Sequence, residues 1–218
     1  MAYPIPAEIY IDIETLPGTH KPSPEDIPPP GNYKDAAKIK AYQESKIDEQ
    51  YRKQALNSMK GEILCIGWAV DDEEPQMLVR GTDNITSEKE LICTFYVATA
   101  AYGPIVWVGH NIKTFDLQWL WRKSIKYGWT ALAHKIPRER YSKQVYDTME
   151  LWAGPDYRDM TSLADIAAFL NLDCKHTGMT GADVYDAYLA GDIDRICEYC
   201  KQDVRLTRQI YKIIEGLP

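Results

Sequence analysis

From Glu8 to Leu16 apolar and polar side chains alternate: Ile9, Ile11 and Ile13 are separated by Tyr10, Asp12 and Glu14. A period of two predicts a half-buried β-strand, with the isoleucines entering a core and Asp12 and Glu14 emerging side by side from the other face. The next stretch breaks the pattern. Six of the thirteen prolines fall between Pro17 and Asn32, and proline sustains neither a helix nor a sheet ladder, so a loop is expected there. From Lys34 to Met59 the composition turns to Ala, Lys, Glu and Gln, with Ile39, Ile47, Tyr51 and Ala55 near helical spacing. One long, moderately amphipathic helix is expected. The β-branched run Ile63 to Val70, the polar turn Asp71 to Glu74 and the extended pattern Met77 to Arg80 predict two hairpin-paired strands.

Ser87 with Glu90 forms a capping-box pattern that opens a helix running to about Ala101. Ile105 to Val108 reads as a short buried strand, Gly109 to Asn111 as a turn, and Phe115 to Lys126 as a helix. A strand at Gln144 to Asp147 and helices at Thr161 to Leu170, Ala182 to Leu189 and Ile193 to Glu215 complete the pattern. Strands interleaved with helices and closed by a C-terminal helix indicate an α/β layer fold. At 218 residues, 45% of them hydrophobic, the chain suits a single domain, 1-218. Residues 17-61 then form an insertion between the first and second strands. Because that excursion leaves directly from Glu14, it is either a flap that shapes access to a site or a scaffold helix packed on the far side.

Charge and cysteine content narrow the function classes. A net charge of −7 argues against a protein that coats duplex by wholesale phosphate neutralisation. Between Arg122 and Lys143, however, seven basic residues face one acid, Glu139. Such a segment can attract one nucleic-acid strand, or simply form a solvated face. Five cysteines are too few and too odd a number for a disulfide framework, which fits a reducing compartment. No apolar run reaches membrane-spanning length and the first seven residues lack a signal-like pattern, so a soluble, intracellular protein is expected.

The candidate chemistry lies in carboxylates at element ends. Asp12 and Glu14 share one strand face, and like charges that close favour a hard cation between them, Mg²⁺ or Mn²⁺. Asp116 opens a helix after a buried strand, at the sheet edge where ligand sites gather. Tyr199 and Asp203 lie one helical turn apart on one face. Individually each has a bland reading: a solvated strand end, a first-turn acid favoured by the helix dipole, a chance pairing. Together, four carboxylates able to converge are what two-metal phosphoryl transfer requires, with Tyr199 able to orient the attacking water.

Asp12-Ile13-Glu14-Thr15, Asn111-Ile112-Lys113-Thr114-Phe115-Asp116 and Tyr199-Cys200-Lys201-Gln202-Asp203 resemble, in order, the three motifs of the DEDDy 3'-5' exonucleases. The chain is most similar to stand-alone relatives, known from bacteria and phages, of the proofreading domain of family B DNA polymerases. That resemblance implies a ribonuclease H-like mixed β-sheet of about five strands flanked by α-helices. It implies Asp12, Glu14, Asp116 and Asp203 as ligands of two Mg²⁺ or Mn²⁺ ions and Tyr199 as the water-orienting residue. It places Asn111, Phe115, Thr15 and Leu16 at the substrate. The implied substrate is a single-stranded 3' end, DNA before RNA, in the cytoplasm of a bacterial or phage-infected cell. No replication or recombination partner is named by the residues. The rival readings are a 3'-5' exoribonuclease, a non-catalytic nucleic-acid-binding module and an endonuclease of the same fold.

Other features weigh less. Cys197 and Cys200, with Cys174 and His176, could form a zinc set. If Tyr199 faces the acids, helical rotation instead turns both cysteines away into the core. Asp147 is a fifth acid or a helix cap, His110 a base or a turn residue, and Lys113 and Lys175 are candidate phosphate contacts. Of six tryptophans, five read as mostly core and Trp129 as a stacking platform.

Overall fold

In the computed structural model, residues 6–82, 85–139, 141–156, 158, 160–173 and 178–216 are described. Strand β1 (Ala7–Leu16) is followed by helix α1 (Ala36–Arg52), β2 (Glu62–Val70), β3 (Gln76–Val79), α2 (Glu88–Ala100) and β4 (Ile105–Gly109). Then come α3 (Asp116–Tyr127), α4 (Thr130–Lys135), β5 (Val145–Asp147), α5 (Thr148–Ala153), α6 (Leu163–Phe169), α7 (Val184–Leu189) and α8 (Ile193–Glu215). The five strands form one mixed sheet in the order β3-β2-β1-β4-β5. β1 pairs antiparallel with β2 and parallel with β4, and so lies at the centre. This is the expected α/β architecture, including the 63–80 hairpin and the Ser87–Glu90 capping box of α2. The short helices α4 and α5 carried no separate signal, because six residues are too few for a helical period to stand out.

The alternation in β1 sorts its side chains onto two different layers. Ile9, Ile11 and Ile13 pack with Leu91, Ile92 and Phe95 of α2 and with Leu117, Trp119 and Leu120 of α3. Tyr10 turns the other way, onto Val204 and Tyr211 of α8. Both faces of the central strand are therefore covered, which corrects the expectation of a half-buried strand: Tyr10 is fully buried, Glu14 is buried, and Asp12 is half-buried. The reason is tertiary. The 23-residue α8 lies across that face with its apolar stripe, Ile196, Cys200 and Val204, turned to the sheet.

That contact depends on one small residue. Gly67 of β2 pairs with Asp12, and a Cβ there would lie 2.8 Å from Cys200 Sγ and 3.0 Å from Met77 Sδ. Gly67→Ala should therefore push α8 outward, costing about 1–3 kcal/mol of overpacking. A fall in Tm of roughly 2–4 °C per kcal/mol is expected by calorimetry; an unchanged Tm would show that α8 yields without strain.

The excursion after β1 is fastened at its base. Gln54 accepts from Gly18 N–H at 3.2 Å and donates to the His20 carbonyl at 2.9 Å. The Thr15 hydroxyl donates to the Ala55 carbonyl at 2.6 Å. Helix α1 has no buried residue; it meets α7 through Arg52, whose guanidinium bridges Asp186 at 2.8 and 3.0 Å.

Candidate active site

Three elements deliver carboxylates to the end of β1. Asp12 and Glu14 come from the strand, Asp116 from the first turn of α3, and Asp203 from the middle of α8. Asp116 Oδ1 accepts the Ile13 backbone N–H at 3.0 Å, which ties α3 to β1 between the two strand acids. Glu14 is 7% exposed and Asp116 2%. Asp12 Oδ2 is buried without a hydrogen-bond partner.

The electrostatics follow from this crowding. Burial pushes the Asp12 carboxyl well above the usual carboxylate range, and Glu14, Asp116 and Asp203 raise it further by repulsion. Glu14 is raised by burial first, then by Cys65, Asp203 and Asp116. Asp116 is pushed up to about 8, chiefly by burial, despite the backbone N–H groups it accepts from. Buried anions without a counter-charge are costly. A divalent cation would relieve that cost, and the unpartnered Asp12 oxygen offers it a ligand atom, so the donor set fits one. An oxygen of Asp12, an oxygen of Glu14 and Cys200 Sγ lie within 4.8 Å of one another.

Tyr199 stands beside these acids, one helical turn before Asp203. Burial, followed by Asp203, Glu14 and Asp12, raises its pKa far above that of a free phenol, so it keeps its proton. Cys200 departs from expectation: its thiol is fully buried but lies against the Asp12 carbonyl at 3.5 Å, at the acid cluster rather than away from it. Residues 200 and 203 are three apart on a helix and share a side, so the stripe on the sheet and the stripe on the site meet at β1.

The turn after β4 is braced by Asp147. Asn111 adopts a left-handed φ of 57°, and its N–H and that of Lys113 donate to the two Asp147 oxygens at 2.8 and 3.1 Å. Asp147 also caps α5 by accepting from Met149 N–H at 3.1 Å. Its carboxylate thus shapes the turn that leads to Asp116, a role its position after a strand only hinted at. Asn111 Oδ1 accepts from the Thr114 hydroxyl, and the Phe115 ring packs against Trp119 at 5.8 Å. Thr15 and Leu16 are both buried, Leu16 among Leu64, Met179 and Val184. With the Thr15 hydroxyl on Ala55 and both residues paired with β2, this pair is taken up by packing and the sheet.

Several other candidates are spoken for. His110 bonds Thr148 Oγ1 at 2.9 Å and the Thr161 carbonyl at 3.1 Å, and burial lowers its pKa to about 4, so it is a neutral structural imidazole. Lys113 pairs with Glu150 at 2.6 Å. Trp129 stacks on Tyr96 at 6.3 Å and is not a free platform. Part of the basic segment is taken up by the fold. Lys123 is buried against Glu88, Lys135 caps the carbonyls ending α2, and Arg138 lies 4.3 Å from the Trp121 ring centre. Cys174, Lys175 and His176 lie outside the described residues.

A five-stranded mixed sheet flanked by helices, with acids gathered at the end of its central strand, is an α/β architecture of the ribonuclease H-like kind. Residues 56–215 match the family described as predicted 3'-5' exonucleases related to the exonuclease domain of PolB, and the chain belongs to that family. It is 26% identical over 170 residues to an uncharacterized protein of Methanocaldococcus jannaschii, covering 73% of this chain and 89% of that one. Among solved structures it resembles the family B DNA polymerase of the hyperthermophilic archaeon Pyrobaculum calidifontis, with a TM-score of 0.63 over 97% of this chain at 14% identity. The chain spans 25% of that polymerase, and the likeness is one of fold. Exonuclease domains of this type use divalent metals, which agrees with the acidic cluster. β1, with Asp12 and Glu14, precedes the matched residues. No helix among the described residues is long and apolar enough to cross a membrane.

Proposed function

We propose that the chain is a metal-dependent 3'-5' exonuclease that hydrolyses the terminal phosphodiester bond of single-stranded DNA and releases nucleoside monophosphates. The observation that carries this reading is the convergence of Asp12, Glu14, Asp116 and Asp203 around one strand end, with Asp116 anchored on Ile13 N–H and Tyr199 beside the acids. Those four carboxylates would hold two Mg²⁺ or Mn²⁺ ions, which supply a nucleophile at neutral pH and neutralise charge on the leaving oxygen. A binding module would gain nothing from clustered negative charge facing a polyanion.

The protein groups divide the remaining work. Tyr199 keeps its proton, so it orients the attacking water through its hydroxyl rather than acting as a base. Asp116, anchored on Ile13 N–H, keeps α3 and β1 in register across the site. The Asn111 amide and Phe115 ring, on and beside the turn braced by Asp147, would contact the terminal nucleotide.

The test is a time course on 5'-labelled single-stranded DNA and RNA of one sequence, with Mg²⁺, Mn²⁺ or EDTA. A metal-dependent ladder shortening from the 3' end is expected, faster on DNA. Tyr199→Phe should lower kcat about 10²-fold with little change in KM, as for a group that acts on the water. Binding of either strand without degradation would defeat the proposal.

A further inference from the structure

We infer that Cys200 opens this site to a second kind of occupant: a soft divalent cation, Zn²⁺ above all, held by the Cys200 thiolate and by one carboxylate oxygen each from Asp12 and Glu14. The inference rests on the proposed function only in that these two carboxylates are shared with its Mg²⁺ or Mn²⁺ ions. Its geometric ground is that the sulfur and the two oxygens all lie within 4.8 Å of one another. Donors around a tetrahedral zinc stand about 3.5 Å apart, so shifts of about 1 Å close the set.

The donors are not taken up elsewhere. Asp12 Oδ2 is buried with no hydrogen-bond partner. Glu14 is buried, and among the described residues its carboxylate accepts no hydrogen bond; burial and repulsion are what act on it. Cys200 is fully buried, with its Sγ against the Asp12 carbonyl at 3.5 Å. That sulfur is seated over Gly67, where an added Cβ would come within 2.8 Å of it, so α8 holds the thiol close to the strand that carries both acids. A buried cysteine ordinarily packs as a small hydrophobe, and this one also presents a metal ligand to two carboxylates.

The mixed donor set changes which ion is preferred. Carboxylates alone suit Mg²⁺ and Mn²⁺, whereas a thiolate adds much for Zn²⁺ and little for those two. On binding, the thiol passes its proton to water and its sulfur bonds the metal. An ion that takes oxygens of Asp12 and Glu14 excludes another that needs the same groups. Zn²⁺ therefore competes with Mn²⁺ for the site.

Co²⁺ is the probe, because it occupies zinc sites and reports sulfur ligation by absorption. Wild type titrated with Co²⁺ should develop the near-ultraviolet charge-transfer band of a cobalt–thiolate bond. The band should vanish in Cys200→Ser and persist in Cys65→Ser, whose sulfur lies outside the donor set. Absence of the band in wild type would overturn the inference without recourse to any variant. A band that survives in Cys200→Ser would overturn it too, by assigning the metal to other cysteines. In competition against a chromophoric chelator, Cys200→Ser should bind Zn²⁺ about 100-fold more weakly while its Mn²⁺ affinity stays within about twofold of wild type. Equal losses for both ions would sink the thiolate ligand. The exonuclease reading fails separately: a Cys200-dependent band in a protein that leaves every 3' end intact with Mg²⁺ or Mn²⁺ supports the soft-ion site and defeats that reading. Metal-dependent cleavage without the band does the reverse.

Discussion

Asp12→Asn is expected to abolish hydrolysis while making the metal-free protein more stable. Loss of a ligand that neutralises transition-state charge is worth several kcal/mol, or about 10³-fold in kcat. Stability moves the other way because the native carboxylate is buried beside Glu14, Asp116 and Asp203 and leaves one oxygen unpartnered. An amide of the same shape removes the charge. The pH dependence has a definite sign. Asp12, Glu14 and Asp116 all have native pKa values raised above their ordinary ones, Asp116 to about 8. The native state therefore holds more protons than the unfolded chain, and stability falls as pH rises from about 4 through about 8. Thermal melts in EDTA at pH 5, 7 and 9 should show Tm falling across the series, with a shallower fall in Asp12→Asn. Mn²⁺ should restore wild-type Tm at high pH and do much less for the variant. Wild-type melts in EDTA that rise with pH would contradict the account of the site.

Glu88→Ala is expected to cause the largest loss of stability and to act away from the chemistry. Glu88 is 4% exposed, yet its carboxylate accepts from Ile63 N–H at 2.7 Å, from Lys123 at 3.0 Å and from the Tyr127 hydroxyl. Lys123 is 2% exposed and also donates to the Gly61 carbonyl at 2.6 Å. Removing the acid strands a buried ammonium, which costs about 3–5 kcal/mol. For a chain of this size Tm should drop on the order of 10 °C. Denaturant unfolding checks the magnitude, and the double variant Glu88→Leu with Lys123→Met should recover much of it, because it leaves no unpaired charge. The same denaturation midpoint in wild type and Glu88→Ala would show that water reaches Lys123. The rate per folded molecule should be unaffected, unlike that of Asp12→Asn.

These two variants also mark where sequence reasoning reaches and where it stops. The alternation of Ile9, Ile11 and Ile13 located β1, and the Ser87–Glu90 capping pattern located α2, because both signals are local. The same alternation could not say what covers the second face of β1. The basic segment after Arg122 looked like a surface that could attract nucleic acid, but Lys123, Lys135 and Arg138 turn out to bind Glu88, the end of α2 and Trp121. Charge is visible in a sequence, whereas its partner from a distant element is not.

The local pattern by itself determined the α/β class, the positions of the strands and of the longer helices, and the presence of acids along them, since these depend on periodicities of two and 3.6 residues. Only the tertiary structure decided that α8 lies over the face of β1 that carries Tyr10, that the Cys200 thiol meets the Asp12 carbonyl, and that Asp147 braces the turn before Asp116. The physical reason is that desolvation and repulsion depend on atoms brought together from elements far apart in the chain. Asp12 and Asp203, 191 positions apart in sequence, acquire their chemistry from proximity, which folding alone supplies.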